Sequence, residues 1–391
     1  MGTAYDYLAW RGDLTFREAP LNEVDCLLLS VISYLDFQDI VPTSHTDGTI
    51  SMMAAANAFL ARHPDPKKQA MGVLIPREIV KVFFEMKNTK RFRNVEMKGY
   101  VNVIDPENEI QFSAVTFLLG NGSAVVTYRG TDDTLVGWKE DMNMCFLPVV
   151  PAQIKAVEYL QSVADAYAGS LVLTGHSKGG NLAVYAAVHS ERAIRERITD
   201  VFSNDGPGFG KSILDDPVYL EMRPMIRSIV PQSSIVGMLL EHDENYTVVK
   251  SRQKNGFLQH NGLSWEILGG EFVRLKEISN ESKNTDRTVN QWIRDMTPEQ
   301  REEFAEAVYQ LFSVEGVKTL TDLVAVRKKW LAHSKQLDPK VHETIQKMIS
   351  ALVALNAKNT LGGIFKGKAK ASVPTESAVS PVDGVSADSA K

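Results

Sequence analysis

The chain has 391 residues, 44% hydrophobic and 23% charged, with a formal net charge of -5, as expected of a globular protein with a substantial core. Mild acidity gives no basic footprint of the kind that marks nucleic-acid binders, and no run of about 18 uncharged apolar residues is present to span a bilayer. The two cysteines, Cys26 and Cys145, are far apart and lack ligand spacing, which argues against a disulfide framework or a structural zinc site.

Residues 25–40, 52–62 and 77–92 read as helices, the third from apolar spacing at Ile79, Val80, Phe83 and Phe84. The period then changes. Residues 97–104, 110–119 and 123–129 are strand-like, and Gly120-Asn121-Gly122 between the last two is a hairpin signal. Strands and helices alternate from there: helix 151–167, strand 170–175, helix 178–190, strand 198–204, helix 212–222, strand 226–231. Such alternation predicts an α/β fold with a mainly parallel sheet flanked by helices.

Beyond about residue 275 the strand signal fades. Thr297-Pro298-Glu299-Gln300 sets a capping residue before a helix that starts on proline, and Asp338-Pro339 opens another in the same way. The expected organisation is an N-terminal helical lead-in over 1–94, a core over 95–275, a C-terminal helical extension over 276–369 and a disordered tail over 370–391. The N-terminus Met1-Gly2-Thr3-Ala4 shows no basic stretch followed by an apolar one, so no signal peptide is read there. A reduced, cytoplasmic setting is the simplest expectation.

The chemistry centres on residues 171–180, Leu-Val-Leu-Thr-Gly-His-Ser-Lys-Gly-Gly. An apolar strand runs into Gly175-x-Ser177-x-Gly179 and then into a helix. A serine hydroxyl is a poor nucleophile and needs presentation to a base at a sharp strand-to-helix turn. The turn strains the backbone and draws strand and helix together, so residues without a Cβ flank it. A helix N-terminus after Ser177 aims amides at a developing oxyanion. The adjacent His176 is read as structural, because a neighbour of the elbow serine points elsewhere.

Upstream, the strand ending in Tyr128-Arg129-Gly130-Thr131 is followed by Trp138-x-x-Asp141. Aromatic-Arg-Gly-Thr, Trp-x-x-Asp and then GHSxGG resemble the class-3 lipase branch of the α/β-hydrolases, and a bacterial lipase-like group of unassigned function, over roughly residues 95–270. The resemblance implies an α/β-hydrolase fold and an oxyanion hole built from Thr131 and the backbone amide of Lys178. Arg129, Trp138 and Asp141 are expected to be scaffold, Asp141 as an ion-pair partner for the Arg129 loop.

The base is expected among the downstream histidines. His189 belongs to the helix after the elbow, and His333 and His342 to the extension, which leaves His242 and His260. His260, in the turn-rich Gly256–Gly262 loop, is preferred, with His242 as the alternative. For the acid, Asp205 ends the strand after the nucleophile helix, at the carboxyl edge where ligands gather. Class-3 lipases take their acid from the loop after the next strand, but here that loop, Pro231-Gln232-Ser233-Ser234-Ile235-Val236, has no carboxylate. Asp243 stays open as the alternative acid.

Together these readings predict a serine hydrolase cleaving an acyl ester of a small acyl or lipid substrate, with no cofactor or metal. Two rivals stand beside it: a non-catalytic protein of the same fold that binds a ligand or partner, and a thioesterase or amidase with the same triad. An amphipathic helix over 339–356 followed by Lys366, Lys368 and Lys370 offers weak grounds for contact with an anionic membrane surface. Oligomeric state is not legible.

Overall fold

A computed structural model of the chain describes residues 1–64, 75–242, 246–254, 256–346 and 350. Among the described residues nine strands form one sheet in the order β1 (Ile50–Ser51), β2 (Glu96–Asp105), β3 (Ile110–Leu118), β4 (Ser123–Tyr128), β5 (Ser170–His176), β6 (Ile198–Asn204), β7 (Ile226–Pro231), β8 (Tyr246–Val249) and β11 (Arg274–Leu275). Between β8 and β11 the chain makes a small separate hairpin, β9 (Ile267–Leu268) with β10 (Glu271–Phe272). The central block from β4 to β8 is parallel throughout. Strands β1 to β4 pair antiparallel, as do β8 and β11. This is the α/β fold expected from the alternation of elements.

The strand order has a consequence for the layers. When parallel strands follow one another in sequence order, crossovers of one hand all lie on one face of the sheet. Helices Pro151–Ala166, Lys178–His189 and Pro217–Met222 accordingly share a core with Ala124, Val126, Leu171, Leu173 and Val201. The opposite face needs a different cover. It is supplied by the N-terminal helices, with Leu27, Leu28, Val31 and Phe83 packed on Val115, Val125, Val172 and Phe202. Helices cover both faces, as the sequence predicts, but from two different parts of the chain.

Local chemistry sets the element ends. Helix Glu23–Ile32 is capped by Asn22 in a reciprocal box with Asp25. It stops well short of the predicted residue 40, and the chain turns so that Leu35 and Phe37 are buried. The third predicted helix runs over Glu78–Asn88. The helix expected at 212–222 is two pieces, Lys211–Leu214 and Pro217–Met222. Pro217 cannot extend the first piece, and Asp216 caps the second by accepting from the Val218 amide. Helices Ala4–Arg11 and Leu135–Met144 were not foreseen; the latter is capped by Thr134.

In the C-terminal part, helices Asn280–Asp295, Pro298–Phe312, Leu320–Ala325 and Arg327–Gln336 follow one another. The Thr297–Gln300 capping box forms as read. A further helix starts at 339, with Lys340 N–H donating to Asp338. Most of the C-terminal part expected of that helix, Lys366, Lys368, Lys370 and the 370–391 tail lie outside the described residues. The extension packs on the core: Ile293 and Met296 meet Cys145 and Phe146, and the Leu320 amide donates to the Asp133 carbonyl at 2.9 Å. Among the described residues no helix is long and apolar enough to cross a membrane.

Candidate active site

β5 ends at His176, and Ser177 turns the chain into helix Lys178–His189 at φ +59° and ψ -135°. A non-glycine residue at positive φ is strained, and neighbouring backbone holds it there. The Ser177 amide donates to the Asn204 carbonyl at 3.0 Å, and the Asn204 side chain donates to the Gly175 carbonyl at 3.1 Å. The flanking glycines are needed because helix and strand nearly touch. A Cβ on Gly175 would stand 2.1 Å from the Gly179 backbone, and one on Gly179 would stand 2.1 Å from the Tyr128 carbonyl oxygen.

On the other side of the turn lies the loop that follows β8. His260 directs Nδ1 at Asp205 Oδ2 across 2.7 Å. Asp205 is fully buried and takes a positive φ of 51° immediately after β6. Its second oxygen accepts from the Ser234 hydroxyl at 2.5 Å. Ser234 stands in the very loop whose lack of a carboxylate separates this sequence from the class-3 pattern. The carboxylate at the site thus comes from β6, and the β7 loop sends a hydroxyl to it. Ser234 is held in turn by the extension, because the Ser282 hydroxyl donates to its carbonyl at 2.6 Å.

His176 links the elbow to the His260 loop. Its Nε2 lies 2.7 Å from the backbone carbonyl of His260. A carbonyl oxygen only accepts, so Nε2 carries the proton. With the ring neutral, Nδ1 is left to accept from the Tyr34 hydroxyl at 3.2 Å. Burial, with the nearby His260 adding in the same direction, pushes the His176 pKa down to about 3, which keeps this ring uncharged. The His176 and His260 rings lie 4.5 Å apart, tilted by 36°. Among the described residues neither His260 Nε2 nor the Ser177 hydroxyl has a hydrogen-bond partner, and 21% of the His260 side chain is exposed.

The Arg-Gly-Thr segment leaves β4 beside the elbow. A Cβ on Gly130 would stand 3.0 Å from Ser177 Cβ and 2.5 Å from the His176 carbonyl oxygen, so the chain enters Thr131 in contact with the serine. The Thr131 hydroxyl donates to Asp141, 2.7 and 2.5 Å from its two oxygens. Burial raises the Asp141 pKa to about 6, with the charge of Lys178 opposing the rise. The expected ion pair between Asp141 and Arg129 does not form. Asp132, three residues along, takes the guanidinium at 2.8 Å, and Asp141 is committed to Thr131. The Lys178 side chain turns inward, where its ammonium meets Glu140 at 2.8 Å and the Gln111 carbonyl at 2.9 Å.

The other histidines stand apart. His242 forms no hydrogen bond with Asp205 among the described residues; its Nε2 is buried without a partner, and burial lowers its pKa to about 4. His189 stacks on Tyr185 and bonds the Tyr185 carbonyl, and His333 bonds the Gln310 carbonyl. Asp243 lies outside the described residues. Trp138 is half-buried and its indole N–H has no partner among the described residues. Among those residues, no cluster of three or more His, Cys, Asp or Glu is placed to share a metal ion. Tyr34, Ser234 and Ser282 had no motif to announce them. Only the polar 231–236 loop carried a signal, since a serine there can support a carboxylate supplied from elsewhere.

Comparison with known proteins adds family membership. No curated protein matches the chain significantly. Among solved structures, the native Rhizomucor miehei lipase propeptide complex is similar at 15% identity with a TM-score of 0.35, over 58% of this chain and 67% of that one. A family model described as Mbeg1-like matches residues 86–310, which take in the sheet from β2 onward, the elbow, the His260 loop and the start of the extension. The chain belongs to the Mbeg1-like family.

Proposed function

We propose that the protein is a serine hydrolase that cleaves an acyl ester in two steps through an acyl-enzyme, with Ser177 as nucleophile, His260 as base and Asp205 as acid. The contact of 2.7 Å between His260 Nδ1 and the buried Asp205 carboxylate, beside a serine at positive φ, carries this reading. Asp205 holds the imidazole in the tautomer that leaves Nε2 able to accept a proton, and it stabilises the imidazolium. Ser177 Oγ attacks the carbonyl carbon as its proton passes to His260 Nε2. The tetrahedral oxyanion is held by the amides of Thr131 and Lys178, each donor worth about 3–4 kcal/mol in the transition state. Collapse expels the alcohol, which takes the proton from His260. Water, deprotonated by the same imidazole, then releases the acid and restores Ser177.

The open contact between Ser177 and His260 is usual for a site without substrate, where catalytic hydrogen bonds are long and tighten on binding. The same opening is what a non-catalytic binding protein of this fold would show, and it is the observation that favours that second reading. Initial rates on matched ester, thioester and amide substrates of several acyl lengths test the proposal. Hydrolysis of at least one class by the wild type, lost in Ser177→Ala, is the expected result. No turnover of any class by the wild type supports the binding protein.

A further inference from the structure

A cleft of about 250 Å³ lies at the carboxyl edge of the parallel strands. Its walls come from segments that leave the candidate site. Phe209 belongs to the loop that Asp205 begins after β6, and Leu240 to the loop after β7 that holds Ser234. Asn181 sits in the first turn of the elbow helix, which runs back from that edge. Met144 ends the helix that carries Asp141, and Phe146 lies just beyond it. This edge is where ligands of open α/β sheets bind.

The lining is mixed: Met144, Phe146, Phe209, Ile213 and Leu240 supply apolar surface beside the polar Gln153, Asn181 and Ser212, and Arg301 is the only charged residue in it. Arg301 Nε donates to the Met296 carbonyl at 3.2 Å, and its guanidinium has no carboxylate partner among the described residues. It also stands in the first turns of helix Pro298–Phe312, where the macrodipole disfavours a cation. A cation set against its own helix, on the wall of a cleft and held by one carbonyl but no carboxylate among the described residues, breaks a local rule with its charge left uncompensated. Such breaks concentrate where a ligand supplies the missing partner.

We infer that this cleft binds an anionic amphiphile: the apolar side chains take a short or medium chain, and Arg301 takes a carboxylate or phosphate at its far end. The volume falls just below the roughly 300–1,000 Å³ of typical ligand pockets, which suits a chain of modest length. An arginine fork matches either anion in bidentate fashion. The inference rests on the hydrolase reading in one respect only, that the bound amphiphile is the acyl substrate.

Two measurements on the full chain test it. The first compares kcat/KM for the umbelliferyl half-ester of octanedioic acid with that for umbelliferyl octanoate. The half-ester should be favoured at least about tenfold, Arg301→Gln should remove that preference while changing octanoate hydrolysis less than about twofold, and Arg301→Lys should keep part of it. The second is calorimetric binding of octyl phosphate and of octanoate to Ser177→Ala, against the same protein also carrying Arg301→Gln. Binding at least about tenfold weaker without Arg301 is expected for one or both anions, and the tighter one identifies the headgroup. If neither ester is hydrolysed but an anion binds through Arg301, the hydrolase reading falls and the cleft assignment stands. If both esters are hydrolysed alike and Arg301→Gln leaves anion binding unchanged, the cleft assignment is overturned and the hydrolase reading survives.

Discussion

The imidazole of His176 donates its Nε2 proton to the backbone carbonyl of His260 across 2.7 Å, fastening the residue before the elbow serine to the residue that faces Asp205. His176 is therefore a positioning residue: it holds the loop that carries the imidazole of His260. Replacing it with alanine should leave Ser177 at its turn but loosen the His260 loop. The expected outcome is a fall in kcat of about twofold to tenfold, the scale of one lost neutral hydrogen bond at about 0.5–1.5 kcal/mol, with KM little changed. Steady-state kinetics on an ester that the wild type turns over would show this split.

The same residue sets part of the acid stability. The His176 pKa lies at about 3 in the fold, against about 6.5 in an unfolded chain. The unfolded state therefore binds more protons between these values, and stability rises with pH across that window. Above about pH 6.5 the contribution is complete; it is lost as pH falls through 6.5 toward 3. His242, at about 4, acts in the same direction. Thermal melts of His176→Asn should fall less steeply than wild type between pH 6.5 and 4, and parallel slopes would contradict the assignment.

Ser234 supports the carboxylate that the β7 loop itself lacks. Asp205→Asn removes the anion behind the imidazole and should reduce kcat by about 10⁴-fold. Ser234→Ala removes one hydrogen bond to that anion, so the loss should be smaller, about tenfold to a hundredfold. Combining the two should cost little more than Asp205→Asn alone, because the hydroxyl acts through the carboxylate. A double mutant with fully multiplied losses would separate Ser234 from Asp205.

Asp141 offers a linkage of opposite sign. Its pKa is raised to about 6 by burial, above the ordinary value near 3.9. The native state then binds the extra proton between these values, so stability falls as pH rises from about 4 to 6. Asp141→Asn keeps an acceptor for the Thr131 hydroxyl without the buried charge. It should raise the melting temperature at pH 7.5, and the gain should vanish near pH 4. A gain independent of pH would mean that ionisation of Asp141 is not its source.

Close packing at the elbow predicts intolerance of a single methyl group. Gly175→Ala would set a Cβ 2.1 Å from the backbone of Gly179, where no flexible side chain can yield. Overpacking of this kind costs about 1–3 kcal/mol or more. Denaturant unfolding of the variant should show a loss at the upper end of that range or insoluble protein. A loss under about 0.5 kcal/mol would show that strand and helix are not so close.

The layered scaffold was legible because buried parallel strands and amphipathic crossover helices leave strong periodic signals. The strands expected over 170–175, 198–204 and 226–231 and the helix expected over 178–190 form as Ser170–His176, Ile198–Asn204, Ile226–Pro231 and Lys178–His189. Helix Leu135–Met144 was missed because Gly137, Trp138 and mixed charges blur its apolar face, leaving the Thr134 cap as its main signal. Around the candidate site, residues marked by local backbone geometry could be read from the sequence. Gly175, Ser177 and Gly179 are tied to a turn, and Asp205 to the end of a strand. Tyr34, Ser234 and Ser282 reach the site through contacts between segments distant in sequence, and one chain carries no local trace of such contacts. Asp141 was misassigned for the same reason: Arg129 is served by the nearer Asp132.

The most direct test is mass spectrometry of the full protein after treatment with a fluorophosphonate, followed by peptide mapping. A nucleophilic Ser177 predicts one stoichiometric adduct there, absent in Ser177→Ala and formed at least about a hundredfold more slowly in His260→Gln. A wild-type protein that stays unmodified, or is labelled at a position other than Ser177, would contradict it.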